Sequence, residues 1–242
     1  MIYAYRSDTG LRKHNEDSFY IPGNGECPVV IVADGMGGHQ AGEVASGRAI
    51  ECIVDYIKNT KGGMTSIALL RQAVNDANHD IFDKAMTDDR CTGMGTTVVM
   101  ALLDTNKYTV ANIGDSRLYH FDGHRLRRVT RDHSYVQELV SSGVITEEQA
   151  KDHPQRNLIT RALGTSRFEK ADVGVKSWAK GDILMLCSDG LCGSVDDREA
   201  ERIIANTEDL LECCDKLTEL ALANGSTDNI TVVLVKNTEV QR

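Results

Sequence analysis

Residues 29–42, Val-Val-Ile-Val-Ala-Asp-Gly-Met-Gly-Gly-His-Gln-Ala-Gly, constrain this chain more than any other stretch. Positions 29–32 are consecutive β-branched residues and read as a strand buried on both faces. Asp34 follows, then a turn with glycine at 35, 37 and 38, and a helical pattern begins at once. Glycine lets the backbone bend sharply and lets another group sit against it. The chain therefore delivers one carboxylate, with bare backbone beside it, to the rim of a sheet. Asp34 and the Gly35 carbonyl are both hard oxygen ligands of the kind a divalent cation prefers.

The construction recurs. Residues 182–188 form a second apolar strand that runs into Asp189-Gly190, and residues 108–113 form a third that runs into Gly114-Asp115-Ser116. In the last strand, 230–235, the order is reversed, and Asp228-Asn229 precede it. Antiparallel strands place the start of one beside the end of the next, so Asp228 is expected at the same rim. Asn15-Glu16-Asp17 stand likewise before a strand at 18–21. Carboxylates gathered in one place repel, and a cation is the usual remedy. Arg12-Lys13-His14, just upstream, are placed to hold an anion near such a cation; alone they would read as a solvated turn.

The chain has 242 residues, 41% of them hydrophobic, enough for one sizeable core, so a single domain over 1–242 is expected. A formal net charge of -9 argues against nucleic acid and anionic membranes as partners. It also repels phosphorylated molecules, so phosphate binding has to be local and metal-assisted. No apolar run is long enough to span a membrane, and the first residues lack the regions of a signal peptide. Seven cysteines, odd in number and scattered through apolar periods, suit reduced thiols in the cytoplasm. None has C-x-x-C spacing, which argues against zinc. A monomer is the default expectation.

Helices are predicted over 40–59 and 65–85, with Thr65 as an N-cap. Their apolar faces are Ala41, Ala45, Ala49, Cys52, Ile53, Tyr56 and Ile67, Leu70, Val74, Ala77, Ile81, Ala85. Residues 98–129 read as a meander of consecutive antiparallel strands. Residues 130–164 are polar and break the pattern, as a flap facing a substrate would. After a strand at 173–178 and the one at 182–188, helices are predicted at 196–205 and 209–223. The fold class is α+β, with two antiparallel sheets face to face and helix pairs outside.

At these residues the chain resembles the metal-dependent Ser/Thr phosphatases of the protein phosphatase 2C family, in compact bacterial form. The motifs are Ser7-Asp8-x-Gly10, Arg12-x-x-Asn15-Glu16-Asp17, Ala33-Asp34-Gly35-Met36-Gly37-Gly38-His39 and Met94-Gly95-Thr96-Thr97. Asn112-x-Gly114-Asp115-Ser116-Arg117, Ser188-Asp189-Gly190-Leu191 and Asp228-Asn229-Ile230-Thr231 complete the series. Each is weak alone; in this order, each at a strand end, they are specific. The resemblance implies an αββα four-layer sandwich holding two Mn²⁺ or Mg²⁺ ions, and a third, weaker one. It implies Asp34 bridging two ions, Gly35 lending its carbonyl, and Asp189 and Asp228 completing the other site. Glu16 and Asp17 would act through water, Asp115 on the third ion, and Arg12 on the substrate phosphate. His39, whose ring titrates near neutrality, is the candidate to protonate the leaving oxygen.

The implied reaction is direct attack of a metal-bridging water on phosphoserine or phosphothreonine, a role in signalling. The implied partners are phosphorylated proteins, a cognate Ser/Thr kinase among them. Two departures stand out. Gly10 and Arg12 are one residue closer than the common bacterial pattern, which predicts a different turn there. Gly193 stands where many members carry a polar side chain, which leaves the third ion with fewer ligands.

Other classes fare worse. A lone Asp-Gly is more often a turn than a ligand. No G-x-S-x-G elbow or phosphate-binding G-x-x-x-x-G-K loop occurs. His79, His120, His124 and His133 read as structural or exposed. Two alternatives remain open at this point: a catalytically weak phosphoprotein- or kinase-binding module of the same fold, and a metallohydrolase of small phosphate esters.

Overall fold

The computed structural model describes residues 1–23, 26–38, 41–60 and 62–238. The strands are β1 (Ile2–Asp8), β2 (Asp17–Tyr20), β3 (Val29–Met36), β4 (Gly95–Thr96), β5 (Val98–Leu103), β6 (Lys107–Ile113), β7 (Arg117–Phe121), β8 (Leu126–Arg128), β9 (Asp172–Ser177), β10 (Ile183–Cys187) and β11 (Ile230–Lys236). The helices are α1 (Ala41–Asn59), α2 (Ser66–Thr87), α3 (Tyr135–Ser141), α4 (Glu147–Lys151), α5 (Asp189–Cys192), α6 (Asp197–Asn206) and α7 (Leu210–Ala223).

The strands build two antiparallel sheets. One runs β1-β11-β10-β7-β8; the other runs β2-β3-β5-β6-β9, with β4 paired to β3. Alternation sends one face of each sheet inward. Val30, Val32, Val99 and Val110 of the second sheet meet Leu118, Leu184, Leu186 and Val233 of the first. The opposite faces are covered by helices. Val29, Ile31 and Met100 pack under α1 and α2, and Met185, Val232 and Leu234 pack under α6 and α7. The result is the expected helix–sheet–sheet–helix sandwich. Thr65 caps α2 by accepting the Ala68 N–H, as its position predicted.

Four features differ from the sequence reading. Residues 98–129 are not one meander. β5 pairs with β6 and β7 with β8, but the chain crosses from one sheet to the other between β6 and β7. Gly114, with φ at 99°, makes that crossing; its missing Cβ would sit 2.5 Å from Thr97 Cγ2. Strand β3 does not stop at Asp34 but runs on to Met36, because Gly35 and Met36 pair with Thr96 and Gly95. The flap is not wholly surface: Leu163 exchanges backbone hydrogen bonds with Thr96 and is fully buried. The buried face of α1 turns toward Ile50, Val54 and Ile57, leaving Cys52 and Tyr56 half-buried.

No described helix is long and apolar enough to cross a membrane. All seven cysteines are free thiols.

Candidate metal and phosphate site

One rim of the sandwich gathers the acidic residues. Asp17 opens β2 and is the register partner of Asp34 near the end of β3. Asp189 is the first residue of the one-turn helix α5, directly after β10. Asp228 precedes β11, whose first residue, Ile230, pairs with Asp8 at the end of β1. Asp115 occupies the crossing between β6 and β7. The sequence-predicted carboxylates thus do meet at one place, although Asp189 lies in a helical turn rather than at a strand tip.

The backbone carrying these groups is heavily tied down. The Asp34 N–H donates to Thr97 Oγ1 at 3.0 Å, and its carbonyl accepts from the Thr97 N–H at 2.8 Å and Thr96 Oγ1 at 2.9 Å. Thr97 Oγ1 is in turn 2.7 Å from Ser116 Oγ, which links Asp34 to the turn bearing Asp115. Gly35 is wedged in place: a Cβ there would lie 2.1 Å from the Gly42 carbonyl oxygen. Ser188 Oγ donates to Asp17 Oδ2 at 2.7 Å and accepts the Thr231 N–H at 3.0 Å. Thr97, Ser116, Ser188 and Asn229 lie within the motifs, and their supporting hydrogen bonds are visible only in the structure. A polar side chain beside a motif aspartate points to Ser116, Ser188 and Asn229, and Thr97 has no such neighbour.

The carboxylates themselves are left wanting. Asp17 Oδ1 and Asp189 Oδ1 are buried with no hydrogen-bond partner among the described residues. Loss of water, and then the neighbouring carboxylates, push Asp17 up to about 7. Asp115 is pushed up to about 7 by the same burial, with Asp189 next in effect. Asp34 is raised well above its ordinary value, again by burial and then by Asp17. Asp189 is raised by burial and then by Asp228, against the lowering effect of the neighbouring Asp34 carboxyl. Glu16 is also raised, by burial more than Arg12 lowers it. Buried polar atoms without partners are costly, and so are crowded carboxylates. A divalent cation relieves both, so the donor set fits one. No three His, Cys, Asp or Glu side chains among the described residues close into a ready-made cage. Backbone oxygen and water would therefore have to complete any ligand shell, as they do for hard cations.

Arg12 lies beside this acidic cluster. Its Nη2 is 2.8 Å from Asp228 Oδ2, and Asp228 is the main cause of its raised pKa. The Glu16 carboxylate lies against α1: a Cβ on Gly42 would sit 2.7 Å from Glu16 Cδ. His39 lies outside the described residues. The flap docks beside Asp115, where His133 takes the Gly114 N–H on Nδ1 at 3.1 Å.

Comparison with known proteins agrees along the whole chain. The family model described as protein phosphatase 2C matches residues 8–224. The serine/threonine phosphatase stp of Listeria monocytogenes is 40% identical over 247 aligned positions, covering 100% of this chain and 98% of that one. The crystal structure of the Mycobacterium tuberculosis serine/threonine phosphatase PstP superposes with a TM-score of 0.90 at 39% identity, over 98% of this chain and 99% of that chain. The catalytic domain of PstP in complex with two manganese ions superposes with a TM-score of 0.87 at 37% identity, over 98% of each chain. Fold, motif order and these end-to-end matches agree: the chain belongs to the protein phosphatase 2C family.

Proposed function

We propose that the protein is a Mn²⁺- or Mg²⁺-dependent phosphatase of phosphoserine and phosphothreonine in proteins. The observation that carries this reading is the pair of bare, buried oxygens, Asp17 Oδ1 and Asp189 Oδ1, in an acidic cluster beside which Arg12 pairs with Asp228. Asp34, the Gly35 carbonyl, Asp189 and Asp228 would hold two ions, and Asp115 a third, with Glu16 and Asp17 reaching them through water. When bound, such ions supply an activated water as nucleophile and charge to steady the leaving oxygen.

The protein's own part is to bind and orient. Arg12 has a guanidinium fork that matches two phosphoryl oxygens, and it is exposed enough to swing from Asp228 to a substrate. Thr97 and Ser188 fix the backbone of Asp34 and the carboxylate of Asp17, so the acidic rim needs little rearrangement during reaction. His39 is the proposed proton donor to the leaving serine or threonine oxygen. Phosphorylated proteins, a Ser/Thr kinase among them, are the proposed substrates, and the seven free thiols suit a cytoplasmic role in signalling.

The test is phosphate release from a phosphothreonine peptide with Mn²⁺, then with excess EDTA. Release that needs the metal and stops with chelator is expected. A folded protein that releases nothing with any divalent metal would overturn the reading in favour of a binding module.

A further inference from the structure

The loop that carries Arg12 has almost nothing of its own to hold it. Residues 11–14 are all exposed, and Leu11, its one large apolar side chain, is 76% exposed. Its own hydrogen bonds are a turn, Arg12 N–H to the Thr9 carbonyl at 3.2 Å, and the Gly10 N–H to Asp8 Oδ1 at 2.7 Å. The Arg12–Asp228 ion pair is solvent-exposed, and such pairs contribute little. That pair also holds only the tip of the side chain, through Nη2, and not the loop that carries it. Whatever positions the guanidinium in the working enzyme must therefore act on the loop backbone.

One side chain does this. Asn229, 5% exposed, donates from Nδ2 to the Thr9 carbonyl at 2.9 Å and to the His14 carbonyl at 3.0 Å. Its Oδ1 accepts the Glu16 N–H at 2.8 Å. Both amide hydrogens and the oxygen are used, and they grip the loop before Arg12, after it, and at Glu16. The anchor is itself rigid. A Cβ on Gly190 would sit 2.0 Å from the Asn229 carbonyl oxygen, and one on Gly10 would sit 2.1 Å from that of Asp228. Residues 228–229 are therefore clamped between two glycines, and the loop is folded over the Asn229 amide.

We infer that Asn229 is a positioning residue that holds Arg12 where it grips the substrate phosphate. The inference rests on the reading of Arg12 given above. It assigns to the residue beside Asp228 a task in phosphate binding, exercised through Arg12.

The experiment is a double-mutant cycle of Asn229→Ala and Arg12→Ala, read by KM and kcat on a phosphothreonine peptide with saturating Mn²⁺, and by amide hydrogen exchange. Asn229→Ala should raise KM about 10-fold, the scale of one charge-assisted contact, with kcat little changed. In the Arg12→Ala background it should change KM less than about 2-fold, because the group it positions is gone. The Glu16 amide should exchange faster in Asn229→Ala. Equal KM effects with and without Arg12, a loss confined to kcat, or unchanged exchange at Glu16 would each overturn the inference. Asn229→Asp keeps the shape and the acceptor for the Glu16 N–H and loses the two donors; it replaces the alanine variant if that fails to fold, and is then read by the kinetic cycle alone. If the unmodified protein releases no phosphate, the phosphatase reading fails by itself. Calorimetric binding of the same peptide then decides the inference: weakening by Asn229→Ala only when Arg12 is present upholds it, and weakening regardless of Arg12 sinks it.

Discussion

Asp17 and Asp34 stand opposite each other as register partners across the β2–β3 pair, two carboxylates where a sheet ordinarily places compatible side chains. Asp17 keeps a proton up to about pH 7, and Asp34 is raised as well, because burial and mutual repulsion disfavour their charged forms. The sign of the consequence follows. An unfolded Asp titrates near 3.9. Between there and about 7 the folded, metal-free protein binds more protons than the unfolded chain. The contribution of these groups is fully present below the unfolded value and is lost as pH rises through the folded one. Mn²⁺ competes with those protons, so its stabilisation grows with pH. The rise in Tm on adding Mn²⁺, followed by thermal denaturation, should be larger at pH 8 than at pH 5.5 and be reversed by EDTA. An equal rise at both values would contradict this account.

Asp34→Asn tests the same strain by removing one charge at nearly constant shape. In EDTA the variant should be more stable than the unmodified protein, by a few °C in Tm, since about 1 kcal/mol shifts a domain of this size by roughly 2–4 °C. With Mn²⁺ its phosphate release should fall to background. Thermal denaturation and the peptide assay together decide the matter. A variant that loses activity and also melts lower without metal would show that Asp34 serves the fold, not an ion.

The acidic rim was legible because each aspartate abuts an apolar run, and apolar runs are visible in one dimension. Asp34 follows residues 29–32, and Asp228 precedes 230–235. Antiparallel register then sets Asp17 opposite Asp34 in one sheet and the start of β11 beside the end of β10 in the other, and the stacking of the two sheets brings the two groups together. What sequence could not carry were contacts whose partners lie far along the chain. Asn229 meets Glu16 across 213 positions and Thr9 across 220. The crossing at Gly114 was equally hidden. Two apolar runs separated by a short turn read as a hairpin, and only the packing of Gly114 against Thr97 sends the second run into the other sheet. Helix α5 was missed because one turn is too short to show a period.

Arg12 binds an oxyanion that is present in both substrate and transition state, so its loss should act mainly on KM. Arg12→Ala should raise KM for a phosphothreonine peptide by roughly 10–100-fold, the scale of hydrogen bonds to a charged group. Arg12→Lys should recover only part of the loss, because a single ammonium cannot make the bidentate contact. Steady-state kinetics on the two variants check this. An unchanged KM in the alanine variant would remove Arg12 from phosphate binding.

His133 joins the flap to the turn that carries Asp115. Its Nδ1 accepts the Gly114 N–H at 3.1 Å, and its backbone N–H donates to the Gly114 carbonyl at 2.9 Å. A ring accepting on Nδ1 carries its proton on Nε2, which faces Asp172 Oδ2 at 3.2 Å but also lies 3.0 Å from Arg161 Nη1, a cationic neighbour that disfavours a charged ring. A second proton would have to sit on Nδ1 and break the bond to Gly114. Burial, the larger effect, accordingly lowers the His133 pKa in spite of Asp172. With the folded value below the unfolded one of about 6.5, this group costs nothing above that pH. It withdraws stability as pH falls from there through the folded value. His133→Leu, which orphans the Gly114 N–H, should cost about 1–3 kcal/mol at pH 7.5. His133→Asn can offer its Oδ1 in place of Nδ1 and should cost less. Urea denaturation of the three proteins from pH 7.5 to 5.5 provides the check: the stability gap between the unmodified protein and His133→Asn should narrow as the pH falls. A gap that stays constant would show that His133 holds the flap by packing alone.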